Sequence, residues 1–139
     1  MRVLFETNVV SELRRPTPDA RVVRYVQSIP PEDGYLSVIT VGELEYGIKR
    51  LEPGEKRTSL EAWLGELVQG YASRVLGIDA ETARIWGEIA AIRAAAGRPL
   101  QPQDGLIAAT ALRHGLHLVT RNSGDFEQTG VLTVNPWAG

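Results

Sequence analysis

The run Val3-Leu4-Phe5-Glu6-Thr7-Asn8-Val9-Val10-Ser11-Glu12-Leu13 decides how the rest of the chain is read. Val3-Leu4-Phe5 is short, apolar, β-branched and aromatic, which predicts a buried strand. Thr7-Asn8 supplies a cap, and Val9, Val10 and Leu13 give one helical face that stops before Pro16. Glu6 therefore stands where a buried strand gives way to a helix.

Outward from this unit the pattern repeats. Asp19 caps a helix over Ala20–Gln27, and Pro30-Pro31-Glu32-Asp33-Gly34 is a loop. Tyr35–Ile39 reads as a second strand. Thr40 caps a helix to about Arg50, with Thr40-x-x-Glu43 at capping-box spacing. Glu55 to about Val68 is helical, with Leu60, Trp63, Leu64 and Leu67 on one stripe. Val75–Ile78 is a third strand. Asp79 caps a long helix to about Ala96, and Asp104–His114 is another, stopped by Gly115. Leu116–Thr120 and Val131–Val134 are the last strands, joined through Arg121–Gly130, which has room for a helical turn. Strands alternating with helices predict an α/β fold with a parallel sheet between helical layers.

Composition narrows the chemistry. The 139 residues suit one domain, 1–139. Hydrophobic residues at 43% and charged residues at 23% exclude a disordered chain. With no cysteine and only His114 and His117, a soft-ligand metal centre is excluded, so any metal site is built from oxygen and suits Mg²⁺, Mn²⁺ or Ca²⁺. A net charge of -2 gives no global attraction to nucleic acid, so a nucleic-acid enzyme needs a local basic rim or metal ions. No stretch approaches the ~18 apolar residues of a membrane span, and Glu6 interrupts the N-terminus too early for a signal-peptide core. The expectation is a soluble, cytoplasmic protein.

Ligands of open α/β sheets bind outside the carboxyl ends of the strands. Glu6 follows the first strand, and Glu43 lies in the first turn of the helix after the second. Asp104 starts the helix before the fourth strand, and Asp125 follows that strand. Each acid alone is ordinary, as a helix-terminus or turn residue. Together they form a like-charge cluster that needs cations or protons to persist. A divalent ion is the simplest such cation, and water attacking a phosphodiester is the chemistry it supports. Arg14, Arg15, Lys49, Arg50 and Arg121 are candidates for the basic rim. Trp63 and Trp86 fit apolar stripes and read as core or dimer contacts, and the two histidines read as structural.

The opening run, Leu36-Ser37-Val38-Ile39-Thr40-Val41-Gly42-Glu43-Leu44, Asp104-Gly105-Leu106-Ile107-Ala108-Ala109-Thr110-Ala111, Leu118-Val119-Thr120-Arg121-Asn122-Ser123-Gly124-Asp125-Phe126 and Asn135-Pro136-Trp137 carry a family. In order and spacing they resemble the PIN-domain ribonuclease toxins of the VapC/FitB-like group. The resemblance implies a three-layer α/β/α sandwich around a mostly parallel five-stranded sheet. It implies a Mg²⁺- or Mn²⁺-dependent endoribonuclease of a type II toxin–antitoxin system, a VapB-like antitoxin, an RNA substrate and a homodimer. The acidic quartet of that family falls on Glu6, Glu43, Asp104 and Asp125, of which Glu6 and Asp104 take the positions usually assigned as metal ligands. Asn8, Thr120 and Asn122 take the supporting positions. Arg14, Arg15 and Arg121 are the RNA-binding candidates.

The chain departs from the family pattern at two places. The first acid of the family is aspartate, and here it is Glu6. The added methylene moves the carboxylate by roughly 1 Å, enough to cost ~100-fold in rate. That leaves a natural variant with altered metal geometry, a degenerate module that only binds antitoxin or RNA, or an engineered attenuation. Gly105 stands where alanine is usual, which predicts a helix start looser by about 0.5–1 kcal/mol. A phosphoacceptor receiver or a phosphatase needs an aspartate nucleophile after the first strand, a role Glu6 fits poorly.

Overall fold

A computed structural model describes residues 1–138, and Gly139 lies outside them. The order is β1 Val3–Phe5, α1 Thr7–Arg14, α2 Ala20–Ser28, β2 Gly34–Ser37, α3 Val38–Lys49, α4 Glu55–Tyr71, β3 Val75–Leu76, α5 Ala80–Ala95, α6 Pro102–His114, β4 His117–Val119 and β5 Thr133–Val134. The five strands run β3-β2-β1-β4-β5, and every pairing between them is parallel. The expected α/β/α architecture is present.

Alternation along β1 builds the two layers. Val3 and Phe5 face one core with Val9, Val10, Val22, Leu36, Leu44, Ile48 and Leu64, which α1 to α4 cover. Leu4 faces the other, with Ile89, Ile107, Ala108, Ala111 and Leu118 beneath α5 and α6. All three β1 residues are buried because a central parallel strand is covered on both faces. Trp63 packs against the first core and Trp86 against the second, as their stripes predict.

The topology places the site. The chain runs outward from β1 through β2 to β3, then returns to the opposite side of β1 with β4 and β5. The strand order thus reverses at β1. The crevice at that reversal, beyond the carboxyl ends of the strands, is where open α/β sheets hold ligands.

Several boundaries differ from the sequence reading. β2 ends at Ser37, which becomes the N-cap of α3 and accepts from the Ile39 N–H at 3.0 Å. Thr40 is therefore a fully buried residue inside the helix, and Glu43 sits in its second turn rather than its first. The capping box does not form. Glu6, rather than Thr7 or Asn8, caps α1. α6 begins two residues earlier than expected, because Pro102 fits a first helical turn, where its missing N–H costs nothing. α4 runs three residues past Val68, to Tyr71. The linker after β4 holds one 3₁₀ turn, Ser123–Phe126.

Candidate active site

Glu6 leaves β1 with its N–H donated to Val119 O at 3.0 Å, which extends the β1–β4 ladder by one residue. Its side chain turns back to accept the Asn8 N–H on Oε2 at 3.0 Å. Only 7% of Glu6 is exposed. Burial pushes its carboxyl up to about 7, and the charges of Asp104, Glu43 and Asp125 push the same way against the Asn8 hydrogen bond. The four acids drawn from four distant segments are thus brought to one place and repel one another. Asp104, in the first turn of α6, is also raised, first by burial and then by Asp125 and Glu43, while Arg93 opposes the rise.

The supporting residues converge as well. Asn8 Nδ2 donates to Thr120 Oγ1 at 3.4 Å, and Asn8 Oδ1 accepts the Arg121 N–H at 3.3 Å. Thr120 Oγ1 also accepts the Asn122 N–H at 3.0 Å. Asn8 therefore staples the start of α1 to the end of β4 across the crevice. Asn122 lines a cleft of about 420 Å³ with Glu6, Thr7, Asn8 and Glu43. Its carbonyl accepts the Asp125 N–H at 3.0 Å.

Thr7 is a site residue that the sequence reading passed over as a helix cap. Its hydroxyl donates to Glu43 Oε1 at 2.6 Å and lies 3.1 Å from Thr40 Oγ1. Glu43 is thus oriented from α1 rather than by its own helix terminus. The position directly after a strand-end acid was the available signal.

None of the four acids forms an ion pair among the described residues. Nor do any three His, Cys, Asp or Glu side chains there stand close enough to cage an ion by themselves. The donor set still fits a hard divalent cation. It is all oxygen, it carries unneutralised negative charge, and Mg²⁺ takes only one or two protein carboxylates and keeps several waters.

The rim separates into engaged and free cations. Arg15 is bound to the buried Glu12 at 3.3 Å, and Lys49 bridges Glu45 and Glu61. Arg14, Arg50 and Arg121 form no ion pair among the described residues and instead lie over Trp63, Tyr46 and Trp137 at 5.8, 5.5 and 5.3 Å. Arg14 also lines an apolar cleft of about 220 Å³ with Leu60 and Trp63, and Thr7 and Glu43 line the same cleft. The α4 stripe therefore serves both ends: Leu64 is buried in the core while Leu60 and Trp63 edge the cleft.

The PIN domain family description matches residues 3–132. The chain is similar to the VapC ribonuclease Y4jK of Sinorhizobium fredii, at 37% identity over 97% of each chain. It is 40% identical to toxin FitB of Neisseria gonorrhoeae, over 97% of this chain and 98% of the relative. A crystal structure of FitAcB from Neisseria gonorrhoeae superposes with a TM-score of 0.92 at 40% identity, covering 97% of this chain and 98% of that one. The chain belongs to the PIN domain family, within the group that holds the VapC and FitB proteins.

Proposed function

We propose that the protein, acting as one PIN unit, is a Mg²⁺- or Mn²⁺-dependent endoribonuclease toxin that a cognate antitoxin neutralises. The observation that carries the reading is the unpaired acidic edge, with Glu6 raised to about 7 by burial and three neighbouring acids. Relatives named as a ribonuclease and as a toxin support it.

Asp104 and Glu6 would hold the ion directly or through water, and Glu43 and Asp125 would hold waters or a second ion. Bound there, a divalent ion supplies an activated water and neutralises charge developing on the phosphate. Thr7 keeps Glu43 aimed at the crevice through its 2.6 Å hydrogen bond. Asn8 fixes the spacing between Glu6 and the β4 end. Arg14 and Arg121, both free of carboxylate partners, hold the RNA phosphates on either side. These contacts position the strand and carry no sequence information, so the RNA is defined by its shape and its bases.

An antitoxin segment that sets apolar side chains in the Leu60–Trp63 cleft brings a following arginine or lysine to the acids, where it pairs with carboxylates and displaces the cation. A homodimer in the cytoplasm, where RNA is at hand, belongs to the same reading.

A second reading has its own observation. One of the two Glu6 carboxylate oxygens is already held by the Asn8 N–H at 3.0 Å. That engagement suits an impaired enzyme that only binds antitoxin or RNA. RNA cleavage assays in Mg²⁺ and Mn²⁺ decide between the two. The nuclease reading expects cleavage by the wild type, at least equal rates for Glu6→Asp, and about a 100-fold loss for Asp104→Ala. Cleavage by Glu6→Asp alone selects the impaired reading. Full activity in Asp104→Ala, or inactivity of Glu6→Asp on every RNA class, rejects the scheme.

A further inference from the structure

Arg93 is a cation in a place that sequence patterning reserves for apolar residues. It follows Ile89 by one turn on the inner face of α5, is 5% exposed, and has no carboxylate partner among the described residues. Its Nε donates to Arg98 O at 2.8 Å. Its Nη1 donates to Asp125 O at 3.1 Å and to Glu127 O at 2.9 Å. An apolar side chain of similar volume avoids the cost of desolvating a charge, and such replacements are often neutral or stabilising. What an apolar side chain cannot do is join carbonyls from two separate segments.

Two of those carbonyls belong to Asp125 and its near neighbour Glu127, and the Asp125 carboxylate, like that of Asp104 on α6, has no hydrogen bond holding it among the described residues. Asp125 sits on a single 3₁₀ turn, so its backbone alone sets where its carboxylate stands. Phe126, 2% exposed, already anchors the segment to the core, and Thr129 Oγ1 closes it by donating to Phe126 O at 2.6 Å. Attachment is thus secured without Arg93. The guanidinium adds a fixed position for the peptide groups at 125 and 127, on either side of the anchor. Its charge also faces Asp104.

We propose that Arg93 is a positioning residue for the nuclease reaction: it clamps the Asp125–Glu127 segment to α5 and so sets the place of the Asp125 carboxylate. The proposal rests on the reading of the acidic edge as the reaction site. The test compares the full chain with Arg93→Met, Arg93→Lys and, as a control, Arg98→Ala, which removes only the exposed pair with Glu127. Steady-state RNA cleavage in Mn²⁺ is measured beside amide hydrogen exchange across residues 121–130.

In Arg93→Met, kcat is expected to fall about 100-fold, KM to change less than about threefold, and exchange to quicken at 125 and 127 while the core strands stay protected. Arg93→Lys, with one nitrogen where arginine uses two, is expected to lie between, and it carries the test if Arg93→Met does not fold. Arg98→Ala is expected to match the wild type. Wild-type kcat in either Arg93 variant, a loss confined to KM, or unchanged exchange at 125 and 127 overturns the clamp. Failure of both the wild type and Glu6→Asp to cleave any RNA overturns the nuclease reading instead, and the exchange data still judge the clamp by themselves.

Discussion

The Glu6 carboxylate accepts one hydrogen bond from α1 and is otherwise buried among acids. Its folded-state pKa of about 7 lies above the 4.5 of an ordinary glutamate, so the folded protein binds this proton more tightly than the unfolded chain. The resulting stabilisation is complete below pH 4.5 and is lost as the pH rises through about 7. Chemical denaturation of the cation-free protein at pH 5 and at pH 8 is predicted to differ by about 2.5 kcal/mol, with the protein more stable at pH 5. Glu6→Gln removes most of that difference. At the same scale, Thr7→Val removes the donor to Glu43 while nearly conserving volume. Loss of the hydrogen bond that orients Glu43 is predicted to lower kcat by about tenfold with little change in melting temperature, read from RNA cleavage and thermal unfolding in parallel.

Gly105 shows how an element is tuned by its neighbour. A Cβ at this position in α6 would stand 2.6 Å from Trp86 Cδ1 and 2.8 Å from its Nε1. The glycine is therefore the seat of the Trp86 ring. Gly105→Ala is predicted to destabilise by about 1–3 kcal/mol despite the better helix propensity of alanine. Gly47 in α3 has nothing within 4 Å of an added Cβ, so Gly47→Ala is predicted to stabilise by about 0.5–1 kcal/mol. Thermal unfolding of the two variants should move in opposite directions. Helix starts show where local reading stops. Ser37 and Thr40 are both good caps three residues apart, and only the pairing of Leu36 and Ser37 with β3 keeps the chain extended through Ser37. Arg93 was hidden for a related reason: a charge on a buried stripe looks like a break in the pattern until the loop carbonyls that receive it are seen.

Across the whole molecule, the reversal of strand order at β1 gathers Glu6, Glu43, Asp104 and Asp125 at one edge. That much was legible, because strand-end positions in an alternating α/β pattern can be read before any contact is known. The rim was not, because the partners that engage Arg15 and Lys49 include the buried Glu12 and the distant Glu61. The net charge of -2 is an average that conceals four site acids without ion pairs and, near them, guanidiniums free of carboxylate partners among the described residues. Arg14 and Arg121, neutralising one phosphate each, predict a slope of about −1.4 for log affinity against log salt on single-stranded RNA. Filter binding of a short RNA to Asp104→Ala across a salt series checks this value. Nuclease chemistry at the acidic edge requires that the edge take a divalent cation. Titration of Mn²⁺ into the protein, followed by electron paramagnetic resonance, measures that directly. Saturable binding that disappears in Asp104→Ala and tightens in Glu6→Asp is the predicted result. Equal binding by the wild type and Asp104→Ala, or no saturable binding by the wild type and Glu6→Asp alike, would contradict it.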